Sequence, residues 1–164
     1  MRARGWQVAL ALLLLGVVVW LGARDGAWWR DVCSGAPLEF EVLTVAELPI
    51  PLIEVYGQKR WAIGVDVYPG SGAGQIYVLL RRGQCPTGGY RIEPIAVRLV
   101  RRFAAYEIRV QSKYNIPQPG QMVIEVVTFP AVGLRIRADR KLTGCSVVAL
   151  DQDGKVVSRA EPVR

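Results

Sequence analysis

The first pattern along the chain is a long apolar run with no polar face. Arg2 and Arg4 precede WQVALALLLLGVVVWLGA, residues 6–23, which is uncharged and carries Trp near both ends. A run of 18 such residues is long enough for a membrane-spanning helix. Leu21 stands where a signal peptidase prefers a small residue, so residues 1–23 read as an uncleaved signal anchor. Basic residues ahead of the span place the rest of the chain outside the cytoplasm. Residues 24–37 then read as a tether, in which Trp28 and Trp29 sit either at the lipid headgroups or on the domain.

Beyond residue 37 the period falls to two. LEFEVLTV, residues 38–45, alternates apolar and acidic positions as a half-buried strand does. Strands are also predicted over 62–68, 76–81, 90–100 and 103–111. The last of these puts Ala104, Tyr106, Ile108 and Val110 on one side and Glu107, Arg109 and Gln111 on the other, a sheet with one wet face. Residues 121–129 and 131–139 read as two more strands parted by Pro130, and residues 146–159 as a hairpin around Asp153 and Gly154. The exception is ELPIPLIEVYGQKRW, residues 47–61, whose prolines fit the entrance of a short helix with Ile50, Ile53 and Trp61 on one face. About eight or nine short strands and one short helix predict a mainly β domain over 38–159 with a frayed tail at 160–164. The architecture expected is a small antiparallel sandwich or a partly open barrel.

Composition narrows the chemistry. The 164 residues include no His, which removes Ser-His and Cys-His nucleophile pairs and the commonest metal ligand. Asp66, Glu93, Glu107 and Glu125 read as the solvated face of a sheet rather than a hydrolytic pair, and no acidic spacing suits a metal. No enzyme, cofactor or metal site is expected. The string PGSGAGQ, residues 69–75, joins strand to strand and has no following Lys, so it is not a phosphate cradle. Cys33, Cys85 and Cys145 are an odd set for an oxidising compartment. Cys85 and Cys145 form the possible disulfide within the domain, provided their backbones come close enough. The formal charge is +7, carried largely by Arg81–Arg82, Arg101–Arg102 and the series Arg135, Arg137 and Arg140. Outside the cytoplasm such a surface meets headgroups and cell-wall polymers, and nucleic acid is not an expected partner.

Two loops carry unusual Pro/Gly chemistry. In QCPTGGYRIEP, residues 84–94, Pro86 fixes φ, Gly88 and Gly89 permit positive φ, and Tyr90 returns the chain to β geometry. In KYNIPQPG, residues 113–120, two prolines withhold backbone donors before a glycine turn. Both frame the same two strands. They are therefore expected to form a partner-binding rim at one end of the sheet, built from Pro86, Thr87, Gly88, Gly89, Tyr90, Tyr114, Pro117, Pro119 and Gly120. A purely structural role for the two glycines is the competing reading.

YVLLRRGQCPTGGYRI from residue 77, IPQPGQMV from 116 and VVTFPAVGLRI ending at 136 together resemble the C-terminal domain of the PrcB family. The likeness rests on Tyr77, Gly83, the PTGGY block, the proline–glycine string at 117–120 and Thr128, Phe129 and Pro130. Cys85 departs from the polar or charged residue usual there, and the segment after Pro130 lacks an aromatic often found in the family. The resemblance implies an extracytoplasmic, non-catalytic module, named for a subunit that stabilises a secreted protease. The function expected is that of a membrane-anchored binding module docking onto an exported protein, such as a protease. The alternative is an envelope module that binds an anionic polymer through its arginines.

Overall fold

The computed structural model describes residues 35–102 and 105–162, so the anchor read at 6–23 and nearly all of the tether lie outside the described residues. From Ala36 onward the chain forms one compact unit. Its strands are β1 (Ala36–Pro37), β2 (Glu39–Leu43), β3 (Ile63–Pro69), β4 (Gln75–Arg82), β5 (Arg91–Arg102), β6 (Ala105–Asn115), β7 (Ala131–Arg137), β8 (Ser146–Leu150) and β9 (Val156–Ala160). A 3-10 turn at Val45–Glu47 and one helix, α1 (Ile50–Lys59), lie between β2 and β3. The last two tether residues thus belong to the sheet, since Ala36 pairs with Leu99 and Pro37 with Arg98.

The strands make two sheets, ordered β1-β5-β6-β8-β9 and β2-β7-β4-β3. Val65, Ile76, Val78 and Ile136 of the second sheet meet Leu99, Ile108, Val110 and Val147 of the first in one buried cluster. This is a sandwich, and it is not closed into a barrel. The expectation of a wholly antiparallel arrangement needs one correction, because β6 and β8 are parallel. Between them the chain crosses to the other sheet as β7 and returns, which is the long connection that parallel pairing requires.

Strand β4 is apolar on both faces, which explains the unbroken YVLL in its sequence. Ile76, Val78 and Leu80 enter the main core, while Leu79 joins Leu43, Leu48 and Leu52 beneath α1. Gly133 on β7 permits this second layer: a Cβ there would lie 2.8 Å from Leu48 Cδ2. The helix face agrees with the expected one at Ile53, which packs on this second layer, and differs at the other two positions. Leu52 is 2% exposed, whereas Ile50 is 71% exposed and Trp61 54%, because the helix is oriented by Leu48, Leu52 and Tyr56 packing on β4.

Two of the carboxylates expected in solvent are paired. Arg81, 5% exposed, donates from Nε at 2.9 Å and Nη2 at 2.6 Å to Asp66 Oδ2. Its Nη1 donates to the carbonyls of Ala62, at 2.9 Å, and Lys59. A buried charge is tolerated when its partner and its remaining donors are satisfied, and here that condition ties the C-terminus of α1 to β4. Glu107 is the second case, buried on β6 among arginines.

Residues 121–129 do not form the strand that their Val and Ile content predicts. Residues 116–130 cross irregularly from β6 to β7, and only Thr128 makes a bridge, to Cys85. Strands β6 and β7, which the run connects, already have neighbours on both sides, so it cannot pair with either of them. Composition favoured a strand and topology denied it a partner.

Candidate docking site

Two of the connections between the sheets lie at the same end of the sandwich. Residues 83–90 lead from β4 to β5, and residues 116–130 lead from β6 to β7. Arg82, at the end of β4, binds them together. Its Nη1 donates to the Asn115 carbonyl at 2.8 Å and to that of Arg91 at 3.4 Å. The guanidinium lies 4.8 Å from the Tyr90 ring centroid and 5.7 Å from that of Tyr114, which suits cation–π attraction to both. Burial pushes the Tyr114 hydroxyl above its ordinary range, and the nearby Arg82 charge acts in the opposite direction.

The PTGGY turn rests on the second crossing. Cys85 and Thr128 exchange both backbone hydrogen bonds at 2.9 Å, and Gly88 N donates to the Ile124 carbonyl at 2.8 Å. Thr128 Oγ1 donates to the Thr87 carbonyl, also at 2.8 Å. The two glycines have different reasons. Gly89 sits at φ +84°, and a Cβ there would come 3.0 Å from Val123 Cγ1 and 3.1 Å from Pro117 Cγ. Gly88 is not in the positive-φ region, and its Cβ would find ordinary contacts at 3.5 Å or more. The expectation of positive φ at both holds for Gly89 alone.

Of the residues read as a rim, the turn 86–90, Tyr114 and Pro117 are brought together. Pro119 and Gly120 stand at an exposed tip, where nothing lies within 4 Å of a Cβ built on Gly120. A hollow of about 470 Å³ is lined in part by Cys85, Pro86, Tyr90, Tyr114, Ile116 and Gln152.

Cys85 and Cys145 are both buried, free thiols, not the bridge that was possible from sequence. Cys145 immediately precedes β8, while Cys85 lines the hollow beside Asp151 and Gln152, just past the other end of that strand. Traversing Ser146 to Leu150 takes about 13 Å of strand, well beyond the Cα separation a disulfide allows. Burial raises the Cys145 thiol above its ordinary range, so it is held protonated.

Four strongly exposed apolar side chains of this end were not among the residues singled out from sequence. Met122 is 94% exposed, Ile124 73%, Ile116 61% and Val126 58%. Their signal was the run QMVIEVV itself, misread as strand because its composition was. At its far end Phe129 is clamped: its ring meets Trp61 edge-on at 5.0 Å, Arg60 lies 4.9 Å over it, and its carbonyl accepts from the Tyr56 hydroxyl at 2.9 Å. The exposed run is therefore anchored to α1 on one side and to the PTGGY turn on the other.

Residues 76–137 match the family model described as PrcB C-terminal. The PrcB C-terminal segment begins in β4 and ends with β7, so it comprises two strands of each sheet and both crossings between them. Strands β1 to β3, helix α1 and the β8–β9 hairpin lie outside it. The part of the chain that carries the PrcB match is thus the part that builds this end of the sandwich. No curated protein and no solved structure matches the chain.

Proposed function

We propose that the chain is a membrane-anchored, extracytoplasmic and non-catalytic module that docks onto an exported protein through the end carrying the two crossings. The family match supports association with a protease complex, and a secreted protease is accordingly the client of first choice. The observation that carries the reading is the row of exposed aliphatic side chains, Ile116, Met122, Ile124 and Val126, held on an irregular but hydrogen-bonded backbone. Large exposed apolar patches on soluble domains mark interaction surfaces, and loops on a rigid β scaffold are their usual carriers. The irregular backbone suits this role because it presents side chains without offering a free strand edge.

The test uses the full chain in its host envelope with a photo-cross-linking residue in place of Met122, and in a second protein in place of Val42, which is exposed on β2. The expected outcome is one exported protein cross-linked from position 122, lost when Ile124→Asp is added, and no such adduct from position 42. If that protein is a protease, its lifetime shortens in cells carrying Ile124→Asp. Equal adducts from both positions, or none from 122, refute the docking surface.

A further inference from the structure

The outer face of the five-stranded sheet carries a second feature that docking at the rim does not use. Arg98 on β5 stands directly opposite Arg109 on β6, Arg109 opposite Val148 on β8, and Val148 opposite Arg159 on β9. With strands about 4.8 Å apart, this rank puts the Arg109 and Arg159 backbones about 10 Å apart, close enough for both side chains to reach one small group. Guanidinium groups of Arg102, Arg109 and Arg159 brought around one point repel one another unless an anion lies among them.

Only part of that anion is supplied by the protein. Glu107 Oε1 accepts from Arg109 Nε at 2.8 Å, and Oε2 from Arg159 Nη1 at 3.0 Å. Arg102 Nε stays at 3.8 Å from the same carboxylate, beyond hydrogen-bond range. Burial pushes the Glu107 carboxyl up, but the hydrogen bonds and charges of Arg109, Arg159 and Arg102 outweigh it and hold the group below the ordinary carboxylate range. Three guanidinium groups on one carboxylate leave an excess of two positive charges, and among the described residues no other carboxylate pairs with these three. The arginines and Glu107 line a hollow of about 170 Å³. At about 30 Å³ per water this is room for one tetrahedral oxyanion with part of its hydration shell.

We infer that Arg102, Arg109 and Arg159, preorganised by Glu107, form a binding site for a phosphate group. Glu107 fixes two of the guanidinium groups and leaves most of their N–H donors unused, and such forks match phosphate oxygens bidentately. The phosphate arrives either as free phosphate or on an anionic phospholipid.

The experiment measures binding by the full chain in neutral detergent, with inorganic phosphate titrated against chloride at constant ionic strength. A parallel arm uses lipid nanodiscs with and without phosphatidylglycerol. Arg102→Gln/Arg159→Gln removes two donors that are more than half exposed, and Arg140→Gln, exposed elsewhere, is the control for loss of a surface charge away from the site. Saturable binding weakened about tenfold or more by the double variant and unchanged by Arg140→Gln supports the site. Response to phosphatidylglycerol without response to inorganic phosphate assigns the headgroup, and the reverse assigns the free ion. No saturable binding in either arm, or equal weakening by the control, overturns the proposal.

Discussion

Gly88 and Gly89 are adjacent and chemically identical, yet the structure gives them unequal tolerance to a methyl group. At Gly89 an L-residue at φ +84° costs about 1–2 kcal/mol in backbone conformation. The new Cβ, at 3.0 Å from Val123 Cγ1 and 3.1 Å from Pro117 Cγ, forces two segments apart, a crowding cost of about 1 kcal/mol. The reduced freedom of the unfolded chain returns about 0.4–1 kcal/mol. Gly89→Ala should therefore destabilise by about 2 kcal/mol, lowering the melting temperature by about 6–10 °C for a domain of this size. Gly88→Ala meets only ordinary contacts and should stay within about 0.5 kcal/mol of the parent. Thermal melts and urea titrations of the full chain in neutral detergent measure both. Gly89→Asn separates the two contributions, because Asn tolerates the left-handed region but brings the same Cβ, and should fall between parent and Ala. Equal melts for the two alanine variants, or a larger loss at Gly88, would refute the assignment of the turn's strain to position 89.

Asp66→Asn leaves the buried Arg81 guanidinium without its counter-charge and should cost about 3–5 kcal/mol, read as a shift in urea midpoint at unchanged m-value. Glu107 has a folded pKa below its ordinary value of 4.5, so its stabilising contribution is complete above that value and is lost as pH falls through the lower folded pKa. Melts of the parent should fall more steeply below pH 4.5 than those of Glu107→Gln. Ile124→Asp, at a side chain 73% exposed, should leave the melting temperature within about 2 °C of the parent while abolishing cross-linking to the partner from position 122.

The sequence made most strands legible because their alternation matches one buried and one wet face. Ile108 and Val110 on β6 fall inside as the period demands, and the β8–β9 turn forms at Asp153 and Gly154. What could not be read depends on partners distant in the chain. Glu107 looks like any solvent-facing carboxylate until Arg159 arrives from β9, 52 residues later. The helix face was misjudged at Ile50 and Trp61 because Leu52 gains its burial from Leu48 and from Leu79 on β4, which local spacing does not reveal. The PTGGY turn and the proline loop were correctly expected at one end, since both flank β5 and β6. The aliphatic run between them and β7 was missed for a topological reason: a strand-like composition says nothing about whether a sheet edge is vacant.

That run has a further consequence for behaviour in concentrated solution. MVIEVV, residues 122–127, has the makeup of a fibril-forming segment: β-branched, proline-free and with a single charge. In the native state its backbone is held out of strand geometry by bonds such as Gly88 N to the Ile124 carbonyl and the exchange between Cys85 and Thr128. Releasing those few bonds requires only local opening, at less free energy than global unfolding. Self-association should thus track the loosening of this one crossing. Variants such as Gly89→Ala should form aggregates at temperatures where the sandwich as a whole is still folded.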